Sequence, residues 1–160
     1  MKFKINSIIT DLKTTTKGNP WYGDALVPTL QQIPKEIVYT RIDGANSIIE
    51  ITKHLLNWYQ FSLERVKGSS NYTLHTAEEN NWTIITAADI LWEDCIKELD
   101  KLYNSLISQL STKEDAFLNE IVPERTYTYS FLLYGLIQHN IYHLGQIQLL
   151  KKILTNKPQS

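Results

Sequence analysis

Two histidines four residues apart are the clearest chemical feature of this 160-residue sequence. His139 and His143 lie in a segment whose apolar spacing predicts a helix, so their side chains project from one face. Two neutral imidazoles placed in this way can bind adjacent positions on one metal ion, each nitrogen being about 2.0–2.1 Å from zinc. The same spacing also arises by chance, and the alternative interpretation is a pair of partly exposed histidines at the rim of a helical bundle.

A third histidine, His54, lies on or beside the apolar stripe of another predicted helix. A lone histidine in such a place is more often a core residue than a ligand. Beside His139 and His143, an inward-facing His54 would complete three ligands and leave one position open, as in catalytic zinc sites. Imidazole also suits nickel, iron and copper, so the residue types do not identify the metal.

Two further side chains are candidate catalytic residues. Glu50 lies one turn before His54 and could act as a base near the metal, although a helix-capping carboxylate is the alternative. Gln146 continues the face of His143 and could line a pocket or hold a ligand group. The alternative for Gln146 is an ordinary surface glutamine.

The remaining reactive or aromatic residues are weaker indications of a functional site. Trp21, Trp58 and Trp82 could form the wall of an apolar pocket above the metal, or they could be core residues. We expect His75 to be exposed to solvent. Cys95 follows two acidic residues that would raise the pKa of its thiol, so we expect a small core residue and not a nucleophile.

Two glycines interrupt the predicted helix that carries the histidines. Each costs about 1 kcal/mol relative to alanine inside a helix, so each calls for an explanation. Gly135 indicates close packing or room for a ligand. For Gly145 the pattern favours plain contact between helices.

Four long helices must position these side chains. Apolar residues at helical spacing predict helices over 3–17, from Asn46 or Ser47 to about Lys67, from a capping box at 86–89 to about 110, and from near Tyr129 to about Leu154. Helices of similar length joined by polar connections predict an all-α four-helix bundle.

The connections between the helices are long. Asp24 is predicted to cap a short helix over 25–33, which Pro34 ends. The polar segment 68–85 should be functional or locally ordered, and Trp82 could attach it to the bundle. The segment 111–127 is predicted to contain a helical turn over 114–121.

Composition and charge exclude several classes of protein. Sixteen basic and 17 acidic residues give a formal charge of −1, and the basic residues are scattered, which argues against nucleic-acid binding. A single cysteine excludes an intramolecular disulfide. The sequence contains neither a secretory signal nor an apolar run that could span a membrane. We therefore expect one soluble, cytoplasmic domain over 1–160.

The segments that carry the histidines resemble the DinB/YfiT-like superfamily. YGLIQHNIYHLGQ at 134–146 is similar to the last-helix signature of that family, a His-x-x-x-His followed by Gly-Gln. SIIEITKHLLNW at 47–58 resembles its second-helix histidine segment, and GNPWYGDAL at 18–26 resembles the N-terminal region of one branch. The matches occur in the same order along the chain as in the family.

The resemblance implies a four-helix bundle with up-down-down-up connectivity. It also implies a divalent metal, usually nickel or zinc, on three histidines, which here are His54, His139 and His143. Characterised members of the family include S-transferases that use bacillithiol, mycothiol or glutathione, and a maleylpyruvate isomerase. Several members form homodimers, and the family name does not imply DNA binding.

Two functional hypotheses follow. The first is a divalent-metal-dependent enzyme, a thiol-dependent S-transferase or a hydrolase, whose open metal position takes water or a low-molecular-weight thiol. The second is a non-catalytic metal- or ligand-binding bundle that acts as a sensor or interaction module. A protein residue in the fourth metal position, or the lack of a pocket beside the metal, would favour the second.

Overall fold

The long apolar repeats of the sequence fold as helices in the computed structural model, which describes residues 2–156. The four long helices are α1 (Phe3–Thr16), α3 (Ile48–Lys67), α5 (Trp92–Ser111) and α6 (Tyr129–Thr155). Two short helices, α2 (Leu26–Gln31) and α4 (Leu74–Glu79), and 3-10 turns at Lys35–Ile37 and Asp115–Asn119 lie between them. The predicted all-α class is confirmed, because the described residues form no strand.

Contacts at one end of the bundle establish the directions of the four long helices. The amide of Ile5, at the start of α1, donates to the Asp115 carboxylate just beyond α5 at 2.9 Å. The hydroxyl of Tyr129, at the start of α6, donates to the carbonyl of Arg65 near the end of α3 at 2.7 Å. Helices α1 and α6 therefore begin where α3 and α5 end, and the expected up-down-down-up connectivity is confirmed.

Helix α3 packs against both α5 and α6, so most of its surface is buried. A short series of hydrogen bonds crosses the middle of the core. The buried Tyr59 hydroxyl lies 3.0 Å from the Thr16 hydroxyl and accepts a hydrogen bond from the Asn140 amide at 2.8 Å. Burial raises the pKa of Tyr59 to about 12, so this hydroxyl stays protonated. These bonds link α3 to α1 and α6 at the level of the histidines.

Local sequence signals set both ends of α3. Ser47 caps the helix and forms a capping box with Glu50, as predicted. Gly68 ends it with a φ of +73°, a left-handed conformation that glycine adopts without a steric penalty. The predicted boundaries of this helix are confirmed.

The predicted start of the third long helix is wrong. Thr86 and Asp89 do form a local turn, in which the Asp89 carboxylate accepts from the Thr86 amide at 2.6 Å. The helix does not continue from this turn, and the next carbonyl, that of Ile90, accepts a hydrogen bond from the Tyr39 hydroxyl at 2.8 Å. Leu91 is extended, and α5 begins at Trp92.

The short elements correct one further prediction. Asp24 does not cap α2: Ala25 occupies the cap position without a side-chain bond, and the helix covers Leu26–Gln31. The long segment 68–85 is locally ordered around α4, as one of the two interpretations proposed. None of the described helices has the length and apolar character that crossing a membrane requires.

Candidate metal centre

The structure brings the three predicted ligand residues together between α3 and α6. His139 and His143 lie one turn apart on α6, and their ring centroids are 4.4 Å apart. Across the helix interface, the Nε2 atom of His54 is 2.8 Å from the Nε2 atom of His139. One ring nitrogen from each of the three residues lies within 4.8 Å of the others.

The closest of these separations fits a shared divalent ion, whereas the full set, which spans up to 4.8 Å, would have to contract slightly to bind one. Two nitrogens that each lie about 2.0–2.1 Å from one ion can be at most about 4.2 Å apart. The 2.8 Å between the Nε2 atoms of His54 and His139 is within this limit. The same distance is that of an N–H···N hydrogen bond between two neutral rings, and a bound cation would take the place of the shared proton.

Hydrogen bonds to two of the rings determine which nitrogen faces the cluster. A carbonyl oxygen can only accept, so the Nδ1 atom of His54 donates to the Asn81 carbonyl, 3.1 Å away. In the same way, the Nδ1 atom of His143 donates to the Gln146 side-chain oxygen at 2.6 Å. Both rings therefore keep an unprotonated Nε2 atom. Metal-binding histidines commonly have such partners on the other nitrogen.

The loop after α4 holds His54 in place. The ring of Trp82 stacks on the imidazole of His54, with centroids 3.9 Å apart and planes 8° from parallel. Asn81 binds the same imidazole through its carbonyl, and its side-chain oxygen accepts from the Trp58 indole at 3.1 Å. The predicted attachment of this segment by Trp82 is correct. No residue-type pattern indicates Asn81, because its contact with His54 is made by a backbone atom.

The surroundings keep all three imidazoles neutral near pH 7. Burial, followed by the charges that His143 and His54 would carry, lowers the pKa of His139 to about 3. Burial also lowers the pKa of His54 and of His143. The Nδ1 atom of His139 is buried without a partner among residues 2–156. Neutral imidazoles are the form that binds metals, so the donor set fits a divalent cation.

Glu50 is not part of the histidine cluster. Its buried carboxylate accepts from the Ser47 amide at 2.7 Å, from Arg41 at 2.9 Å and from the Ile85 amide at 3.2 Å. Burial alone would raise the pKa of Glu50, but these hydrogen bonds outweigh it and lower the pKa. The contacts are those of the capping alternative, and they also connect α3 to the segments on either side.

The other candidates lie apart from the cluster. His75 is exposed and lies 3.2 Å from Glu79. Cys95 is fully buried and is a core residue, as expected. Burial raises the pKa of its thiol to about 12, and burial, not the acidic neighbours, is the main cause of this increase. Trp21 is fully exposed and forms neither pocket wall nor core, which corrects both interpretations of this residue. Gly145 is exposed as well, and a Cβ added there would meet no atom within 4 Å, so the expected helix contact is absent from the described residues.

A cavity of about 390 Å³ adjoins two of the histidines. It follows the groove between α3 and α6, and its walls include His54, Trp58 and Ser62 from α3, and Phe131, Gly135 and His139 from α6. A Cβ added at Gly135 would meet no atom within 4 Å, so this glycine leaves room in the groove, as one of its interpretations proposed. Trp58 forms part of the wall, as one of its two interpretations proposed.

The fold and the site together are those of an all-α bundle in which three imidazoles converge beside a cavity. The family model of the DinB superfamily matches residues 22–147 of this sequence, a span that includes all three histidines. The chain belongs to the DinB superfamily, and its histidine cluster fits a metal-binding member of it. No curated protein matches the chain.

Proposed function

We propose that this protein is a divalent-metal-dependent enzyme that transfers a low-molecular-weight thiol to an electrophilic small molecule. One observation carries the proposal: neutral imidazoles from α3 and α6 converge at the end of a cavity large enough for a small substrate. His54, His139 and His143 would hold the ion, with nickel or zinc as the expected metal. A divalent ion held there supplies Lewis acidity and lowers the pKa of a thiol or water bound to it.

The residues around the cluster would position these ligands and keep water away. Gln146 would hold the ring of His143, and the Asn81 carbonyl would hold His54, so that one nitrogen of each points to the ion. Trp58 and Trp82 shield the cluster with indole rings. In the transfer, the sulfur–carbon bond forms as the bond from carbon to the leaving group breaks, and the thiol proton passes to solvent or to the leaving group.

The cavity favours an enzyme over the non-catalytic alternative. A sensor or scaffold that used the ion only for stability would have no need of an open groove beside its ligands. Here the groove reaches His54 and His139 directly. A hydrolase remains the related alternative, because the same site could activate water in place of a thiol.

Metal analysis tests the site independently of activity. We expect untagged protein, purified without added metal, to contain close to one equivalent of nickel or zinc by mass spectrometry. A His139→Ala/His143→Ala variant should lose it. The exposed His75 offers a matched control, and His75→Ala should keep the metal. Equal metal content in all three proteins would refute the site.

A reaction screen tests the chemistry. The metal-loaded chain is incubated with bacillithiol, mycothiol or glutathione and a panel of electrophiles, and thioether formation is followed by mass spectrometry. We expect metal-dependent product with at least one thiol. Inactivity with every thiol at full metal occupancy, together with metal-dependent ester or amide hydrolysis, would instead support the hydrolase.

We also propose that the chain forms a homodimer through α6. Six large apolar side chains on this helix are exposed: Phe131, Tyr134, Ile141, Tyr142, Leu149 and Ile153. Exposed apolar surface of this kind commonly marks a protein interface. Sedimentation velocity should report a dimer that Leu149→Lys dissociates, and a monomer at all concentrations would contradict the proposal.

A further inference from the structure

The groove that ends at the histidines has a second, chemically different end. On α3 its walls are His54, Trp58 and Ser62, and on α6 they are His139, Gly135 and Phe131. Both sets are spaced by four residues, and the two helices are antiparallel. Each set therefore covers two helical turns, or about 12 Å along the axis. The histidines lie at one end of this length, and Phe131 lies at the other.

Arg125 lies at the Phe131 end. Its guanidinium lies over the ring of Tyr127 at 5.0 Å, and the ring of Tyr127 contacts that of Phe131 at 5.0 Å. Both Arg125 and Tyr127 line the cavity. The Nε atom of Arg125 donates to the Tyr127 hydroxyl at 3.0 Å, which orients the guanidinium.

Arg125 differs from the other two arginines of the sequence in having no acidic partner. Arg41 pairs with Glu50 at 2.9 Å, and Arg65 pairs with Glu124 at 3.3 Å. Within residues 2–156, no carboxylate forms an ion pair with Arg125. Its terminal nitrogens thus remain available as a planar pair of donors, the geometry that binds a carboxylate through two hydrogen bonds.

The turn that presents Arg125 is held from outside the groove. Glu124, the preceding residue, has a φ of +66°, which is unfavourable for a residue other than glycine. Its carboxylate accepts from Arg65 at 3.3 Å and from the Leu74 amide at 3.1 Å. These bonds stabilise the turn in this conformation and direct the neighbouring arginine to the cavity.

We infer that the groove binds an amphipathic organic anion, with its carboxylate on Arg125, its apolar body between α3 and α6, and its reacting end at the histidines. The identification of the histidine end as the reacting end rests on the proposed function; the anion-binding role of Arg125 does not. The length of the groove requires several carbon atoms between the carboxylate and the reacting group. Arg125 is thus a specificity-determining residue at the far end of the substrate site.

Binding of octanoate and octanamide tests the inference without any reaction. The two probes share an alkyl chain and differ in charge. The full chain is treated with a chelator, so that the carboxylate cannot bind a metal, and dissociation constants are measured by NMR titration. We expect octanoate to bind about tenfold more tightly than octanamide, because charge-assisted bonds to a partly exposed arginine contribute about this much.

Substitutions assign the preference to Arg125. In Arg125→Gln the ratio should fall close to one while octanamide affinity stays the same, and Arg125→Lys should keep part of the preference. Lys101→Gln removes an equal charge from the exposed surface of α5 and should leave the ratio unchanged. An unchanged ratio in Arg125→Gln, or no preference in the wild-type chain, would overturn the inference.

The orientation of the probe provides a measurement that does not depend on any variant. Nuclear Overhauser effects should connect the methylene next to the octanoate carboxylate with Tyr127 and Phe131, and the terminal methyl with Trp58. The reversed orientation would overturn the inference. If octanoate were preferred only in metal-loaded protein, the inference about Arg125 would be overturned, but the metal site would be supported. If the chain bound no metal and still preferred octanoate, only the proposed function would be refuted.

Discussion

Removing the hydrogen bond behind His143 should weaken metal binding without removing a ligand. Gln146→Leu keeps the volume of the side chain but deletes the oxygen that lies 2.6 Å from the Nδ1 atom of His143. Loss of such a partner typically lowers metal affinity 10- to 100-fold, or about 1.4–2.7 kcal/mol. The magnitude is plausible here because the His143 side chain is only 5% exposed, so water cannot readily replace the lost acceptor.

Competition with a chromophoric chelator measures this change. We expect Gln146→Leu to bind Zn²⁺ 10- to 100-fold more weakly than the wild-type chain, and Gln146→Glu to bind at least as well as wild type, because a carboxylate is a stronger acceptor. Gln148→Leu, two residues further along α6, is the matched control and should not change the affinity. Equal affinities of Gln146→Leu and the wild type, or the same loss in the control, would refute the reasoning.

Three further predictions follow from other parts of the structure. Glu50→Gln should lower the free energy of unfolding by about 1–3 kcal/mol, because the buried carboxylate loses charge-assisted hydrogen bonds. The same substitution should leave the zinc content unchanged. Denaturant titration measures the first effect and metal analysis the second. Because the pKa of Glu50 is lowered on folding, its stabilisation is present above the unfolded pKa and should be lost as the pH falls through the folded pKa. Gly135→Ala and Gly145→Ala should each stabilise the chain by about 1 kcal/mol, since an added Cβ meets no atom within 4 Å, and thermal melts should show the increase. The pKa of His139 falls to about 3 on folding, so the unfolded chain binds more protons below about pH 6.5, and the stability of metal-free protein should drop on acidification by up to about 1.4 kcal/mol per pH unit. His139→Gln should reduce that slope in denaturant titrations between pH 4 and 7, and an identical slope would contradict the assigned cause.

Local signals made α3 predictable and α5 only partly so. Ser47 and Gly68 define the ends of α3 through bonds and backbone angles within a few residues, which a sequence displays directly. The turn at Thr86 and Asp89 has the same local chemistry as a helix start. The segment that follows it is instead bonded to the hydroxyl of Tyr39, about fifty residues earlier, and no local pattern reports that contact.

The candidate site was predictable to the extent that its residues have a chemical signature. Imidazoles at helical spacing indicate a metal, and the family resemblance connected His54 with His139 and His143. Asn81 acts on His54 through its backbone carbonyl, a group that every residue has. Arg125 has an ordinary side chain, and only its position in the groove and its lack of an acidic partner distinguish it.

The histidine cluster and the cavity are both formed by one helix pair. Because α3 and α6 are antiparallel, residues spaced by four on each helix face one another along the groove: His54 and His139 at one end, Trp58 and Gly135 in the middle. The absence of a side chain at Gly135 keeps the middle open, and the rings of His54 and His139 are in contact at one end. A large residue at 135 would therefore fill the cavity and press on Trp58, whose indole is bonded to Asn81 and through it to His54. Access to the cavity and the geometry of the three histidines are in this way physically coupled.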